Sequence, residues 1–168
     1  IMIVIIIHGE KKNYGGAEEL PAVNLRLSMP QNEWKWETAH LTPGAGIVVV
    51  RMFDDGWRYL GLRNKRGLDI SKGHVEDGED FFDTAIRETE EESGIKELNF
   101  KWGKNYINLD FLRVYVAETK EDASPVINKK SMIYEHDSAE WLTYEEIREQ
   151  ALEYLVPAIE WARDRIMP

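Results

Sequence analysis

The 168-residue chain contains no cysteine. Disulfides and thiolate metal sites are therefore excluded, and a reducing, cytoplasmic setting is expected. Positive charge is also scarce: 21 Lys and Arg stand against 31 Asp and Glu, a formal net charge of −10. Non-specific nucleic-acid binding works through a basic surface that displaces counter-ions, so it is not expected here. Long apolar runs are lacking too. The N-terminal run from Ile1 to Ile7 covers only 7 residues without a basic leader. A bilayer-spanning helix needs roughly 20 residues, and a secretory signal needs that leader, so neither a membrane partner nor a signal peptide is expected. No internal repeat or low-complexity tract stands out.

What is present suffices for one core, with 43% hydrophobic residues in a single-domain length. Residues 44–168 read as the main domain, and residues 1–43 as an N-terminal extension packed on it. Within the extension, residues 2–7 read as a buried strand and 9–24 as a polar loop. Residues 25–29 and 34–41 read as short strands, and His8 and His40 as structural. Ile47 to Phe53 is a β-branched run, Asp54-Asp55-Gly56 is a hairpin signal, and Trp57 to Leu62 returns as its partner. Arg63, Lys65 and Arg66 follow in a loop. Further on, Phe100–Ile107 and Leu109–Glu118 read as strands. Thr119–Lys130 reads as a flexible loop suited to a substrate lid. Trp141-Leu142 belongs to the last strand, and Thr143 with Glu146 forms a capping box for a helix from about Tyr144. Residues 151–166 read as helical, with Leu152, Leu155, Ile159 and Ala162 on the apolar side and a break or restart at Pro157.

The centre of the chain is GHVEDGEDFFDTAIRETEEESGI, from Gly73 to Ile95. It reads as a loop holding Gly73 and Gly78, then a helix from about Glu79, stopped by Gly94. Phe82, Ala85, Ile86 and Thr89 have the spacing of a buried stripe. Glu88, Glu91 and Glu92 share a neighbouring face. Two like charges at roughly 6 Å repel by about 0.7 kcal/mol in water and nearly 3 kcal/mol at an effective dielectric of about 20. A purely structural helix gains nothing from that arrangement, whereas a divalent cation reverses the sign of each interaction. Oxygen donors with room for water and phosphate suit Mg²⁺ or Mn²⁺. Arg87 and Glu79 have a separation that returns their side chains to one face two turns apart.

The spacing resembles the Nudix box, G-x5-E-x7-R-E-U-x-E-E-x-G-U, carried here by Gly73, Glu79, Arg87, Glu88, Thr89, Glu91, Glu92, Gly94 and Ile95. Thr89 departs softly from the aliphatic preference at its position. The resemblance implies an α/β (α+β) fold: an α/β/α sandwich with a central mixed sheet and the box as loop and helix. It also implies metal-dependent hydrolysis of a nucleoside diphosphate linked to another moiety. Glu88, Glu91 and Glu92, with the Gly73 carbonyl, are the candidate Mg²⁺ ligands, a role in which Mn²⁺ could substitute. Arg87 and Glu79 are the candidate orienting pair, and Glu91 or Glu135 is the candidate general base. Lys72 and Arg63 flank the box as candidate phosphate contacts, with Tyr106 and Phe111 as candidate base-stacking residues.

Lys72-Gly73-His74-Val75-Glu76-Asp77-Gly78-Glu79 is similar to the opening of the box in diadenosine tetraphosphate hydrolases, as is the Glu135-His136 to Trp141-Leu142 pattern. Two positions depart from it: Ser71 stands where proline is usual, and Leu112 where a tyrosine is. A dinucleoside polyphosphate is the preferred small-molecule partner. The competing substrates are diphosphoinositol polyphosphate, an RNA 5′ end, a nucleotide sugar and a nucleoside triphosphate, and a non-catalytic binding module is the reading from another class.

Overall fold

The computed structural model describes residues 4–7, 10–13 and 43–167. Near the N-terminus, β1 (Val4–Ile7) and β2 (Glu10–Asn13) form a two-stranded antiparallel sheet of their own. Residues 10–13 are thus strand, where a loop was expected. The β-branched run supplies a pairing edge that a polar segment of low intrinsic propensity can join. The expected strands at 25–29 and 34–41, His8, His40 and most of the proposed extension lie outside the described residues.

The main sheet is built around β3 (Gly44–Phe53). On one side β3 pairs in parallel with β8 (Leu112–Glu118). On its other side, β6 (Ser71–His74) pairs with its first half and β4 (Gly56–Asn64) with its second, both antiparallel. β5 (Gly67–Asp69) and β9 (Ser138–Leu142) pair with β4, and β7 (Ile107–Leu109) closes the edge beyond β8. Both faces of β3 are covered, so alternate residues enter two separate cores. Ala45, Ile47 and Val49 pack with Phe81 and Ala85 of α1 (Phe81–Ser93). Val48 and Val50 pack with Ile147 of α2 (Tyr144–Gln150) and with Ile159 and Ala162 of α3 (Val156–Ile166). The result is the helix–sheet–helix sandwich with a mixed sheet that the resemblance implied.

Several boundaries differ from expectation. Helix α1 starts at Phe81, because the Asp80 side chain accepts the Asp83 N–H at 2.7 Å and so acts as the N-cap. Glu79 therefore precedes the helix. The buried stripe is Phe81, Thr84, Ala85, Thr89 and Ser93, while Phe82 and Ile86 sit at its partly buried margin. Gly94 ends the helix as expected, with φ 75° and its N–H on the Glu90 carbonyl.

Gly73 lies in strand β6 rather than a loop, and Arg63 lies in β4. Neither short strand end carries β-branched residues, so only the vacant half of the β3 edge calls β6 into the sheet. The expected strand at Phe100–Ile107 is mostly irregular, with a turn at Lys101–Trp102 and Gly103 at φ 87°. The expected continuous strand Leu109–Glu118 is a hairpin, folded at Asp110 (φ 42°) and Phe111. Aspartate tolerates that left-handed conformation better than most residues. The Thr143–Glu146 capping box forms, and Pro157 enters α3 in its first turn after a short 3₁₀ turn, Glu153–Leu155.

Candidate active site

The register of β6 and the start of α1 place the box glutamates over the sheet. Gly73 pairs with Ala45, and the Glu88 carboxyl lies where a Cβ on residue 73 would be. Any side chain there would overlap it. Glu92 is held on the same side: its Oε2 accepts the Lys72 backbone N–H at 3.0 Å. The Glu88 and Glu92 side chains are only 13% and 9% exposed, and burial raises the pKa of both carboxyls above the ordinary range. Glu91 turns outward, 59% exposed.

Arg87 links these carboxylates to the preceding loop. Its Nε and Nη2 bind Glu79 Oε1 and Oε2 at 2.6 and 3.0 Å. Its Nη1 reaches Glu88 Oε1 at 2.6 Å and Glu91 Oε2 at 3.0 Å, and Nη2 also donates to the His74 carbonyl at 3.0 Å. Glu79 also accepts bonds from the Thr84 hydroxyl at 2.8 Å and the Glu76 N–H at 3.2 Å. The Arg87 hydrogen bond is the main cause that holds the Glu79 carboxyl down at about 2. The expected pair therefore forms, though not on one helical face: the loop before Asp80 carries Glu79 back to Arg87.

The expected phosphate contacts are otherwise engaged. The Lys72 ammonium pairs with buried Asp69 at 2.7 Å. The Arg63 guanidinium grips the Glu140 carboxylate through Nε and Nη2 and reaches Gln150 Oε1 at 3.0 Å. The Arg63 carbonyl accepts the Asp137 N–H at 2.7 Å, which anchors the turn carrying Glu135 and His136. Tyr106 is 44% exposed and lies under Arg113, whose guanidinium is 3.9 Å from its ring and 4.3 Å from that of Phe81. Gly73, Ala45 and Arg113 share one row across the sheet. Two strand spacings therefore separate Arg113 from Gly73, roughly 10 Å. Phe111 occupies the β7–β8 turn, where its carbonyl accepts the Gly44 N–H at 2.7 Å.

The segment after β8 is more anchored than a flexible loop would be. Ser124 N–H bonds to Ser93 O at 3.0 Å, Val126 N–H bonds to Glu92 O at 3.3 Å, and Ile127 bridges to Tyr134. The Asn128 amide then holds Glu135. As a result Glu92, Glu135 and His136 bring one donor atom each to within 4.8 Å of one another. Sequence reasoning assigned no role to His136 or to Arg113. The Glu-His pair before Trp141 was a visible signal for the first; only the sheet register reveals the second.

A sequence model of the NUDIX domain family matches residues 40–162, well over half of the chain. The chain belongs to the Nudix family. It is accordingly a pyrophosphohydrolase, acting on acid anhydrides. Solved Nudix structures share its fold. An Ap4A hydrolase from C. elegans, solved as a binary complex, aligns with TM-score 0.61 at 21% identity over 73% of this chain and 97% of that one. The MutT protein of Methanosarcina mazei Go1 aligns with TM-score 0.54 at 18% identity over 76% and 96%. The NUDIX domain of Shewanella oneidensis NrtR, solved with ADP ribose, aligns with TM-score 0.55 at 11% identity over 88% and 100%.

Nudix hydrolases use divalent cations, and this donor set fits one. Glu88 and Glu92 are largely buried, and Arg87 bonds to Glu88 and Glu91 rather than to Glu92, so a cation lowers the cost of keeping the pair charged. Among the described residues, no helix is long and apolar enough to cross a membrane.

Proposed function

We propose that this Nudix enzyme hydrolyses a dinucleoside polyphosphate such as diadenosine tetraphosphate, using Mg²⁺. The observation that carries the reading is the convergence of two separate segments. The box glutamate Glu92 meets Glu135 from the turn before β9, and both segments carry the residue patterns similar to diadenosine tetraphosphate hydrolases. Glu88, Glu91 and Glu92, with the Gly73 carbonyl, are the residues that would hold the cation. When bound, Mg²⁺ neutralises phosphoryl oxygens and makes a water more acidic.

The protein's own groups do the rest. Arg87 fixes the relative positions of the box carboxylates, and Glu79 fixes Arg87. Glu91 accepts a proton from the attacking water, since it is the most exposed of the box glutamates and Arg87 holds only its Oε2. Tyr106, exposed on the α1 face of the sheet, stacks a base, and the Arg113 guanidinium beside it meets a distal phosphate. Lys72 and Arg63 support the site through Glu92, Asp69 and the 135–137 turn rather than through substrate.

The test is a substrate panel with Mg²⁺ in ¹⁸O-labelled water, with products separated by chromatography. It includes diadenosine tetraphosphate, ADP-ribose, a nucleotide sugar, a nucleoside triphosphate, a diphosphoinositol polyphosphate and a capped RNA. ATP plus AMP from diadenosine tetraphosphate, abolished by chelator, is the expected result. Cleavage of another panel member with diadenosine tetraphosphate untouched would overturn the substrate assignment.

A further inference from the structure

His136 is 6% exposed, and among the described residues neither of its ring nitrogens has a hydrogen-bond partner. Buried polar atoms are almost always paired, so an orphaned imidazole calls for a further partner, such as ordered water or an ion. Its surroundings favour the ion. Nε2 lies 3.4 Å from Glu92 Oε1, close enough for electrostatic contact but outside hydrogen-bond geometry. The other oxygen of Glu92 is turned away to the Lys72 N–H. Glu135 completes the group, with all three donor atoms inside 4.8 Å. Bonds of about 2.0–2.2 Å to a common ion put adjacent donors about 3–3.5 Å apart, which the Glu92–His136 separation already matches.

We propose that Glu92, Glu135 and His136 form a mixed nitrogen–oxygen site for a divalent transition ion such as Mn²⁺, with His136 contributing an imidazole ligand. An all-oxygen set suits Mg²⁺, whereas an imidazole shifts preference along the series from Mn²⁺ toward Co²⁺ and Zn²⁺. Glu135 is then a ligand, and the proton acceptor is Glu91. The site shares Glu92 with the proposed catalytic cation site and rests on that assignment, but not on the choice of substrate.

The test uses nucleotide-free protein and Mn²⁺ alone. Pulsed electron paramagnetic resonance reads directly coordinated nitrogen through its modulation of the Mn²⁺ echo. Wild type should show imidazole nitrogen coupling, and His136→Gln should lose it. That variant should bind Mn²⁺ at least about tenfold more weakly, with a much smaller change for Mg²⁺ measured by competition. Glu135→Gln, an exposed change, should weaken Mn²⁺ while keeping the nitrogen signal, which secures the test if His136→Gln does not fold. Mn²⁺ bound to wild type through oxygens alone, with hydrolysis intact, would overturn the proposal while leaving the roles of Glu88 and Glu92 standing. No Mn²⁺ or Mg²⁺ binding to wild type at all would overturn both.

Discussion

Arg87 closes on Glu79 through two parallel bonds, Nε to Oε1 at 2.6 Å and Nη2 to Oε2 at 3.0 Å. This two-pronged pair joins the loop before α1 to the helix that carries the box carboxylates. Arg87 also reaches Glu88 and Glu91, so a single guanidinium sets the spacing of an otherwise self-repelling cluster. Removing Glu79 would release Arg87 to settle on either remaining partner, at the expense of the spacing.

The Glu79 pair makes a definite contribution to acid stability. Its carboxyl is held at about 2, below the ordinary 4.5, so between those values the unfolded chain binds more protons than the folded one. The stabilisation is complete above pH 4.5 and is lost as the pH falls through 2. Each pKa unit is worth about 1.4 kcal/mol, and with the group largely enclosed, Glu79→Gln should cost about 2–3 kcal/mol at pH 7. Denaturant titrations at pH 7 and pH 3 check this. The gap between wild type and variant should narrow at the lower pH, and an equal gap at both would rule the linkage out.

Gly73 and Glu88 are coupled by volume. A methyl on Gly73 overlaps the Glu88 carboxyl, so Gly73→Ala must displace that side chain or bend β6 away from β3. The overlapping atoms are the far end of a flexible side chain, so the cost falls at the low end of overpacking, about 1 kcal/mol, a fall of a few degrees in melting temperature at this length. Gly73→Ala should also abolish most metal-dependent turnover. The double variant Gly73→Ala/Glu88→Ala vacates the overlapping space and should recover the melting temperature without recovering activity. If Gly73→Ala melted like wild type and kept full activity, the close packing of the two residues would have no functional weight.

The box was legible because its chemistry is local: Arg87, Glu88, Glu91 and Glu92 lie on adjacent helical turns, and Gly94 punctuates the end. The β3–β4 hairpin was legible from the β-branched run and Asp54-Asp55-Gly56, and the helix after Thr143 from its capping box. The hairpin at Asp110–Phe111 was not, because Leu109, Phe111 and the alternating Leu112, Val114 and Val116 read as one apolar strand, while the turn depends on one left-handed aspartate. Lys72 and Arg63 read as phosphate contacts because their counter-ions, Asp69 and Glu140, come from sheet pairing and a local turn that composition does not announce. Arg113 was hidden for the same reason: only the register with Ala45 and Gly73 places it on the box face.

The identity of the proton acceptor separates Glu91 from Glu135. The Glu91 carboxylate is exposed and tied through one oxygen to Arg87, whereas Glu135 is grouped with Glu92 and His136. General-base removal typically costs 10²–10⁴ in rate. Glu91→Gln should therefore lower kcat by about that factor even at saturating Mn²⁺, because added metal does not replace a missing proton acceptor. Glu135→Gln should instead raise the metal concentration needed for half-maximal rate, and saturating Mn²⁺ should restore much of its kcat. Steady-state kinetics across a metal titration distinguish the two. If saturating metal rescued Glu91→Gln and failed to rescue Glu135→Gln, the roles would be exchanged: Glu135 would take the proton and Glu91 would serve the cation alone.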